Sequence, residues 1–209
     1  MKLLRSALFM ALLLVFTPPW AVIMMACFWL PDRPRRLTAE PWVRFALWCT
    51  RNILGMKERV LGLENVPATP AVIACKHQSA WETIALQQWF PYTAFVFKKE
   101  LLWLPFFGWA LASIPTIRID RKAGKDALNQ LLDQGRKRLA QGFNVVVFPE
   151  GTRVAPGQKK RFKGGGALLA VRAGVPLVPV AHNAGELWRR NAFVKNAGLV
   201  TVSIGPPID

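Results

Sequence analysis

The sequence has 209 residues, of which 52% are apolar, and its formal net charge is +16 at pH 7. A soluble nucleic-acid-binding protein would explain the charge but not the apolar content. Both properties suit a protein on an anionic phospholipid membrane, where each basic residue near the headgroups gains about 1 kcal/mol. We therefore expect a membrane as a partner and no nucleic acid.

The chain begins with an apolar segment that carries no charge from Ser6 to Leu30. A helix over these positions would be about 37 Å long, which is enough to cross a bilayer. We predict a membrane anchor over residues 1–36, kinked at Pro18-Pro19 because proline removes a helical hydrogen bond. Basic residues on both sides favour both ends in the cytoplasm, which a kinked or re-entrant helical hairpin satisfies better than a single straight span. A cleaved signal peptide is the alternative, but no small-residue cleavage site follows the prolines.

Residues 37–209 alternate between strands and helices. Strands are predicted at Ala71–Cys75, Thr93–Phe97, Ile117–Asp120, Asn144–Phe148, Pro176–Ala181 and Leu199–Ile204. Helices are predicted at Trp42–Cys49, Ser79–Trp89, Lys125–Gln141 and Gly166–Ala173, and Leu101–Leu111 is predicted as a helix-like stretch broken at Pro105. This alternation predicts one α/β domain with a mixed, largely parallel sheet flanked by helices. We expect a final flanking helix to be absent, since the sequence ends directly after its last strand.

His77 follows the first of these strands, and Glu82 follows His77 by five residues. Within one helix this spacing would place the two side chains on different faces. They can meet if His77 lies in the turn before a helix and Glu82 in its first turn. Ser79-Ala80-Trp81-Glu82 is a capping box, which independently predicts a helix start. The alternatives are a structural histidine and a carboxylate that only caps the helix.

Other ionisable side chains have simpler interpretations. Cys75 could be a nucleophile, but we interpret it as strand packing, and the three unpaired cysteines are typical of a reducing compartment. His182 and Glu186 have the spacing of a helical pair, which we interpret as structural or substrate-lining. Two histidines without a thiol pair or a carboxylate cluster do not indicate a metal site.

Three further blocks complete a pattern with the His77 segment. They are Ile117-Arg118-Ile119-Asp120-Arg121, Phe148-Pro149-Glu150-Gly151-Thr152-Arg153 and Val175-Pro176-Leu177-Val178-Pro179-Val180. In this order and at these separations, from about Val60 to Ile204, the blocks resemble the glycerolipid acyltransferase family. The nearest match is the bacterial lysophosphatidate (1-acyl-sn-glycerol-3-phosphate) acyltransferases.

The resemblance implies a role for each block. His77 would be the general base, and Glu82 would orient it at a position where the family has aspartate, one methylene shorter. The implied substrate-binding residues are Lys98, Arg118, Arg121, Glu150, Gly151, Thr152 and Arg153. The alternatives are a solvated basic face for the cations and a turn carboxylate paired with an arginine for Glu150. The basic segment Lys159–Lys163 suits coenzyme A phosphates or anionic headgroups, and the sequence does not decide between them.

The expected reaction is transfer of a fatty acyl group from acyl-CoA or acyl-carrier protein to the free hydroxyl of lysophosphatidate, giving phosphatidate. No cofactor or metal is implied beyond this co-substrate. The alternatives are another lyso-lipid acceptor, such as a lyso-ornithine lipid, and a non-catalytic basic membrane-binding protein. We expect the bacterial inner (cytoplasmic) membrane, with the catalytic domain on the cytoplasmic face. The apolar stretch Leu101–Trp109 suits an acyl-chain tunnel, a membrane-facing surface or ordinary core.

Overall fold

A computed structural model describes residues 1–120 and 122–209, and a single sheet runs through the domain. Its strands are β1 (Met56–Leu61), β2 (Val72–Cys75), β3 (Thr93–Lys98), β4 (Ile117–Ile119), β5 (Asn144–Val147), β6 (Leu177–His182) and β7 (Gly198–Ile204). They lie in the order β1-β7-β6-β2-β5-β3-β4. Every neighbouring pair is parallel except β6 with β7. The predicted mixed, largely parallel sheet is confirmed.

Helices cover both faces of this sheet. They are α1 (Lys2–Ala26), α2 (Asp32–Leu37), α3 (Glu40–Asn52), α4 (Trp81–Ala85), α5 (Phe107–Ser113), α6 (Lys125–Ala140), α7 (Gly165–Ala173) and α8 (Ala184–Leu187). Short 3₁₀ turns lie at Leu63–Asn65, Leu86–Gln88 and Lys99–Trp103. The six predicted strands are all present, and each end is within one residue of its prediction.

One predicted helix is shorter than expected, and one strand of the structure was not predicted. The helix expected at Ser79–Trp89 begins only at Trp81, and a 3₁₀ turn replaces it after Ala85. The break expected at Pro105 within Leu101–Leu111 is present, with a 3₁₀ turn before it and α5 after it. Strand β1 was not predicted, because Lys57-Glu58-Arg59 gives this edge strand a charged sequence.

The two faces of the sheet bury separate apolar clusters. In β2, Ile73 and Cys75 belong to a cluster that includes residues of α1, α3 and α4. Val72 belongs to the other cluster, with residues of α6 and α7. This division follows the alternation of side chains along a strand.

Helix α1 is continuous through Pro18 and Pro19, so the chain does not turn back there as a re-entrant hairpin would require. By length and composition α1 could cross a membrane, and within it only Ser6, Phe9, Ala21 and Met24 are buried. It packs against α3 and α5. Trp103 and Trp109, in the stretch before and within α5, are also largely exposed, so this stretch is not ordinary core.

The first turns of α1 dock on the last part of the domain. Phe9 is fully buried and meets the ring of Trp188 edge-on, with centroids 5.3 Å apart. Ser6 Oγ accepts a hydrogen bond from the backbone N–H of Lys195 at 2.9 Å. The Lys195 ammonium lies 5.7 Å from the Phe9 ring centroid, within the range of a cation–π contact. This part of α1 therefore belongs to the folded domain.

Candidate active site

The site lies where β6, β2 and β5 end. These three strands are neighbours and parallel, so their carboxyl ends reach the same edge of the sheet. The His77 segment follows β2, the Phe148–Arg153 block follows β5, and His182 is the last residue of β6. Ligands of open α/β sheets bind outside this edge. Sheet order thus brings together blocks that are far apart in the sequence.

His77 and Glu82 form the predicted pair. His77 Nδ1 lies 2.8 Å from Glu82 Oε1. The same Glu82 carboxylate accepts hydrogen bonds from the backbone N–H groups of Gln78 at 2.9 Å and of Ser79 at 2.9 and 3.0 Å. Glu82 is fully buried. Its carboxylate therefore caps the loop and orients the imidazole at once, so the two interpretations of Glu82 are compatible.

The capping box is only half formed. Glu82 binds the Ser79 backbone as predicted, but Ser79 Oγ accepts from the N–H of Trp81, at 3.2 Å, in place of the N–H of Glu82. The turn over Ser79 and Ala80 delays the helix start to Trp81. This turn lets His77 fold back onto a carboxylate only five residues away.

The remaining contacts of His77 restrict its ring and backbone. Phe148 stacks on the imidazole, with centroids 4.0 Å apart and 18° between the planes. The His77 carbonyl accepts from the N–H of Val154 at 2.8 Å. Among the described residues none forms a hydrogen bond with Nε2, and the His77 side chain keeps 13% exposure. That nitrogen is therefore available to a substrate.

Glu150 points inward. It is fully buried, its Oε1 pairs with Lys76 Nζ at 2.8 Å, and its Oε2 accepts from the backbone N–H of His77 at 2.6 Å. The sequence interpretation placed Glu150 against the acceptor. These contacts do not favour that placement, and the predicted contact stays a prediction. Its observed partners hold the loop that carries His77.

The other residues of the Phe148–Arg153 block have a less buried environment than Glu150. Gly151 has φ of +70°, a conformation that suits glycine, and the Lys163 side chain lies 3.4 Å from where a Cβ would be. Thr152 and Arg153 are half-buried. The backbone N–H of Lys163 bonds the Pro149 carbonyl at 2.9 Å, so the loop closes back on its own start.

The predicted phosphate cup is more dispersed than the sequence suggested. Lys98 is exposed at the end of β3, and Arg118 is exposed on the edge strand β4. Two strands lie between β4 and β2, so at the usual strand spacing the distance from β4 to β2 is roughly 14 Å. Arg118 lines a depression of about 330 Å³ with Thr116, Gln134, Lys137 and Arg138. Arg121 lies outside the described residues.

A second, basic groove lies beside the His77 segment. Lys76, Lys159, Lys160 and Phe162 line it, and its volume is about 350 Å³. The residues from 159 to 163 are all exposed. The groove can take an anionic group together with an apolar one.

The structure does not support two other possibilities from the sequence, a Cys75 nucleophile and a pair of His182 with Glu186. Cys75 is fully buried, and burial, together with the nearby carboxylates of Glu82 and Glu150, raises its thiol pKa well above the ordinary value. A reactive thiolate is therefore disfavoured. His182 does not pair with Glu186, because β6 continues to His182 and no helix joins the two residues. Its Nε2 instead lies 3.8 Å from Glu82 Oε2.

Comparison with known proteins gives consistent similarities. A sequence profile of the family described as Acyltransferase matches residues 57–183. The chain is 49% identical over 178 residues to a 1-acyl-sn-glycerol-3-phosphate acyltransferase of Pseudomonas aeruginosa, covering 85% of this chain and 69% of that one. It is 30% identical over 180 residues to the mouse 1-acyl-sn-glycerol-3-phosphate acyltransferase alpha, covering 84% and 63%. The chain thus spans about two thirds of the length of these relatives.

The fold also matches a solved structure. The crystal structure of the 1-acyl-sn-glycerophosphate (LPA) acyltransferase PlsC from Thermotoga maritima superposes with a TM-score of 0.79. The match covers 100% of this chain and 86% of that one, at 23% sequence identity. At this identity the similarity shows a shared fold.

Proposed function

Because this chain belongs to the acyltransferase family, we propose that it transfers a fatty acyl group from acyl-CoA or acyl-carrier protein to the free hydroxyl of lysophosphatidate. The product would be phosphatidate, a phospholipid precursor. Relatives named as 1-acyl-sn-glycerol-3-phosphate acyltransferases support this acceptor. A non-catalytic basic membrane protein would not need a buried carboxylate aligned on a histidine.

The geometry of His77 and Glu82 carries the proposal. Ionised Glu82 only accepts hydrogen bonds, so the 2.8 Å contact places the imidazole hydrogen on Nδ1 of His77. The lone pair is then on Nε2, the nitrogen left for substrate. This is the arrangement of a general base with an orienting carboxylate.

The reaction follows from this tautomer. Nε2 of His77 takes the proton of the acceptor hydroxyl as its oxygen attacks the thioester carbonyl carbon. Glu82 stabilises the imidazolium that forms. The tetrahedral intermediate then collapses, the carbon–sulfur bond breaks, and the thiolate takes the proton back from Nε2. An ester and a free thiol result, and no acyl-enzyme is needed.

The acceptor contacts come from the loop and the exposed cations. In our proposal Thr152 donates a hydrogen bond to the oxyanion and Arg153 binds the phosphate. Lys98 and Arg118 add positive potential on the side of β3 and β4, and Arg121 stays a proposed phosphate-binding residue from the sequence resemblance alone. Thr152 and Arg153 are half-buried beside the His77 loop, which supports these two roles.

We also propose that α1 and the exposed stretch around α5 place the domain on the membrane. Helix α1 is apolar, has exposed apolar side chains and packs against α5, which also exposes apolar side chains. The cytoplasmic face of a bacterial inner membrane fits the basic residues that flank α1. There the lipid acceptor and the soluble donor can reach one site.

The test is thiol release by purified protein in non-ionic detergent with palmitoyl-CoA and lysophosphatidate. We expect His77→Ala to lower the rate by roughly 10²–10⁴-fold, because the general base is lost. Phosphatidate should be identified by mass spectrometry. Equal rates for the wild type and His77→Ala would contradict the proposed mechanism.

Two controls complete the design. Lys57→Ala, on the exposed surface of β1, removes a side chain far from the site and should keep the full rate. A parallel assay offers a lyso-ornithine lipid in place of lysophosphatidate. A higher kcat/KM for the lyso-ornithine lipid would support the alternative acceptor and contradict ours.

A further inference from the structure

The peptide group between Lys76 and His77 is held from both sides by buried side chains. The Lys76 carbonyl lies 2.8 Å from Nε2 of His182, and the His77 N–H donates to Glu150 Oε2 at 2.6 Å. Since a peptide group is planar, two contacts on opposite sides define its orientation. We call this group the clamped peptide. Its direction decides where the Cα of His77, and therefore its ring, can lie.

The contacts of His182 define its tautomer. A carbonyl oxygen can only accept, so Nε2 must carry a hydrogen to bond with Lys76. A backbone N–H can only donate, and that of Ala184 donates to Nδ1 of His182 at 3.2 Å. Both bonds are satisfied only in the neutral imidazole with its hydrogen on Nε2. His182 has an almost fully buried side chain.

The two histidines of the chain therefore have opposite tautomers around one carboxylate. His77 carries its hydrogen on Nδ1, facing Glu82 Oε1 at 2.8 Å, and His182 carries its hydrogen on Nε2. His182 Nε2 is 3.8 Å from Glu82 Oε2, beyond hydrogen-bond range but close enough for an ion pair. A charged His182 would compete with His77 for Glu82. The bond from Ala184 opposes that state.

We propose that His182 is a positioning residue for the reaction, which rests on the function proposed above. It orients the clamped peptide through the Lys76 carbonyl, and by staying neutral it leaves the Glu82 carboxylate to His77. His182 acts through His77 and does not contact substrate. The inference gives a role to a buried histidine that the chemistry of His77 and Glu82 does not use.

The first test reads the tautomers directly. The sequence has only two histidines, so a protein labelled with ¹⁵N-histidine shows two imidazoles, and His77→Ala assigns them. Long-range ¹H–¹⁵N couplings distinguish a hydrogen on Nδ1 from one on Nε2. At pH 7.5 we expect Nε2–H for His182 and Nδ1–H for His77. A protonated His182, or one with its hydrogen on Nδ1, would overturn the proposal.

The second test separates positioning from packing. His182→Leu keeps an apolar volume but cannot bond Lys76 or Ala184. His182→Gln offers an amide N–H to Lys76 and an oxygen to Ala184. We expect His182→Leu to lower kcat roughly 10–100-fold with both KM values within about twofold, as for other residues that orient an active-site group. His182→Gln should recover most of this loss.

Rates are divided by the folded fraction, measured by circular dichroism and gel filtration in the same detergent. If both variants have wild-type kcat per folded molecule, His182 only packs and the proposal is wrong. If His182→Leu does not fold, the proposal is judged from the kcat of His182→Gln and from the tautomers of the wild type. A wild type that releases no thiol would refute the proposed function. The ¹⁵N-histidine spectra would still test whether His182 bonds the clamped peptide.

Discussion

The loop that carries His77 is fixed by many contacts, whereas the cations proposed to bind substrate on β3 and β4 are exposed. Every polar backbone atom of His77 is bonded, its ring is stacked and paired, and its partners Glu82 and Glu150 are fully buried. Lys98, Arg118 and the segment from 159 to 163 are exposed on the surface. Changes in the first region should therefore alter kcat or the stability of the fold, and changes in the second should alter KM.

The largest expected effect comes from Glu82→Gln. An amide at this position can donate to Nδ1 of His77, which moves the imidazole hydrogen to Nε2 and removes the base. We expect kcat to fall by roughly 10²–10⁴-fold, as when an orienting carboxylate is made neutral in other enzymes, with KM little changed. Steady-state kinetics of thiol release measures both constants.

Glu82→Asp is the matched control for this change. The aspartate keeps the negative charge and is the residue that the acyltransferase family was expected to have here. Its side chain is one methylene shorter, so the carboxylate lies farther from His77. It cannot then reach Nδ1 of His77 and both backbone N–H groups without movement of the loop. We expect kcat to fall less than in Glu82→Gln, by roughly 10–100-fold. Full activity of Glu82→Asp would show that the loop adapts and is less rigid than its contacts indicate.

Glu150→Ala should have an intermediate effect, mainly on stability. It leaves the Lys76 ammonium and the His77 N–H without their partner. We expect the free energy of unfolding to fall by about 3 kcal/mol, at the lower end for a broken buried pair because Lys76 is partly exposed. Thermal unfolding in detergent measures it, with exposed Glu64→Ala as control. A raised acceptor KM with unchanged stability would instead support the acceptor contact predicted from the sequence.

Arg118→Ala should have the smallest effect. Its guanidinium is exposed on the edge strand, so we expect a two- to fivefold rise in acceptor KM, roughly the scale of an exposed ion pair, and an unchanged kcat. Arg172→Ala, which removes an equal charge from an exposed position of α7, is the control for net charge. An equal rise in both variants would mean that Arg118 acts only through bulk charge. A fall in kcat would contradict the division between the two regions.

The sequence predicted well what depends on local patterns. Each buried strand is a short apolar run with clear ends, and the capping box indicated a helix start close to Glu82. The pairing of His77 with Glu82 needed only these two signals, since a turn between strand and helix brings the side chains together.

Features that depend on long-range contacts were not predictable in the same way. Glu150 follows a strand in a glycine-containing turn, a position that is normally exposed. Its burial results from the loop that returns to bond Pro149 and His77 through Lys163 and Val154. His182 has a carboxylate four residues later, which suggested a helical pair. Only the position of β6 beside β2 shows that its partner is the Lys76 carbonyl.

The docking of α1 has a consequence for how the protein is made. The hydrogen bond from Lys195 to Ser6 joins residues 189 positions apart, and β1 pairs with β7 in the same region. Since the ribosome releases the amino-terminal end first, α1 emerges long before its docking surface exists. An apolar helix in that position is free to enter the bilayer during translation. The domain would then close around a helix already held at the membrane, so synthesis and membrane delivery would be one process.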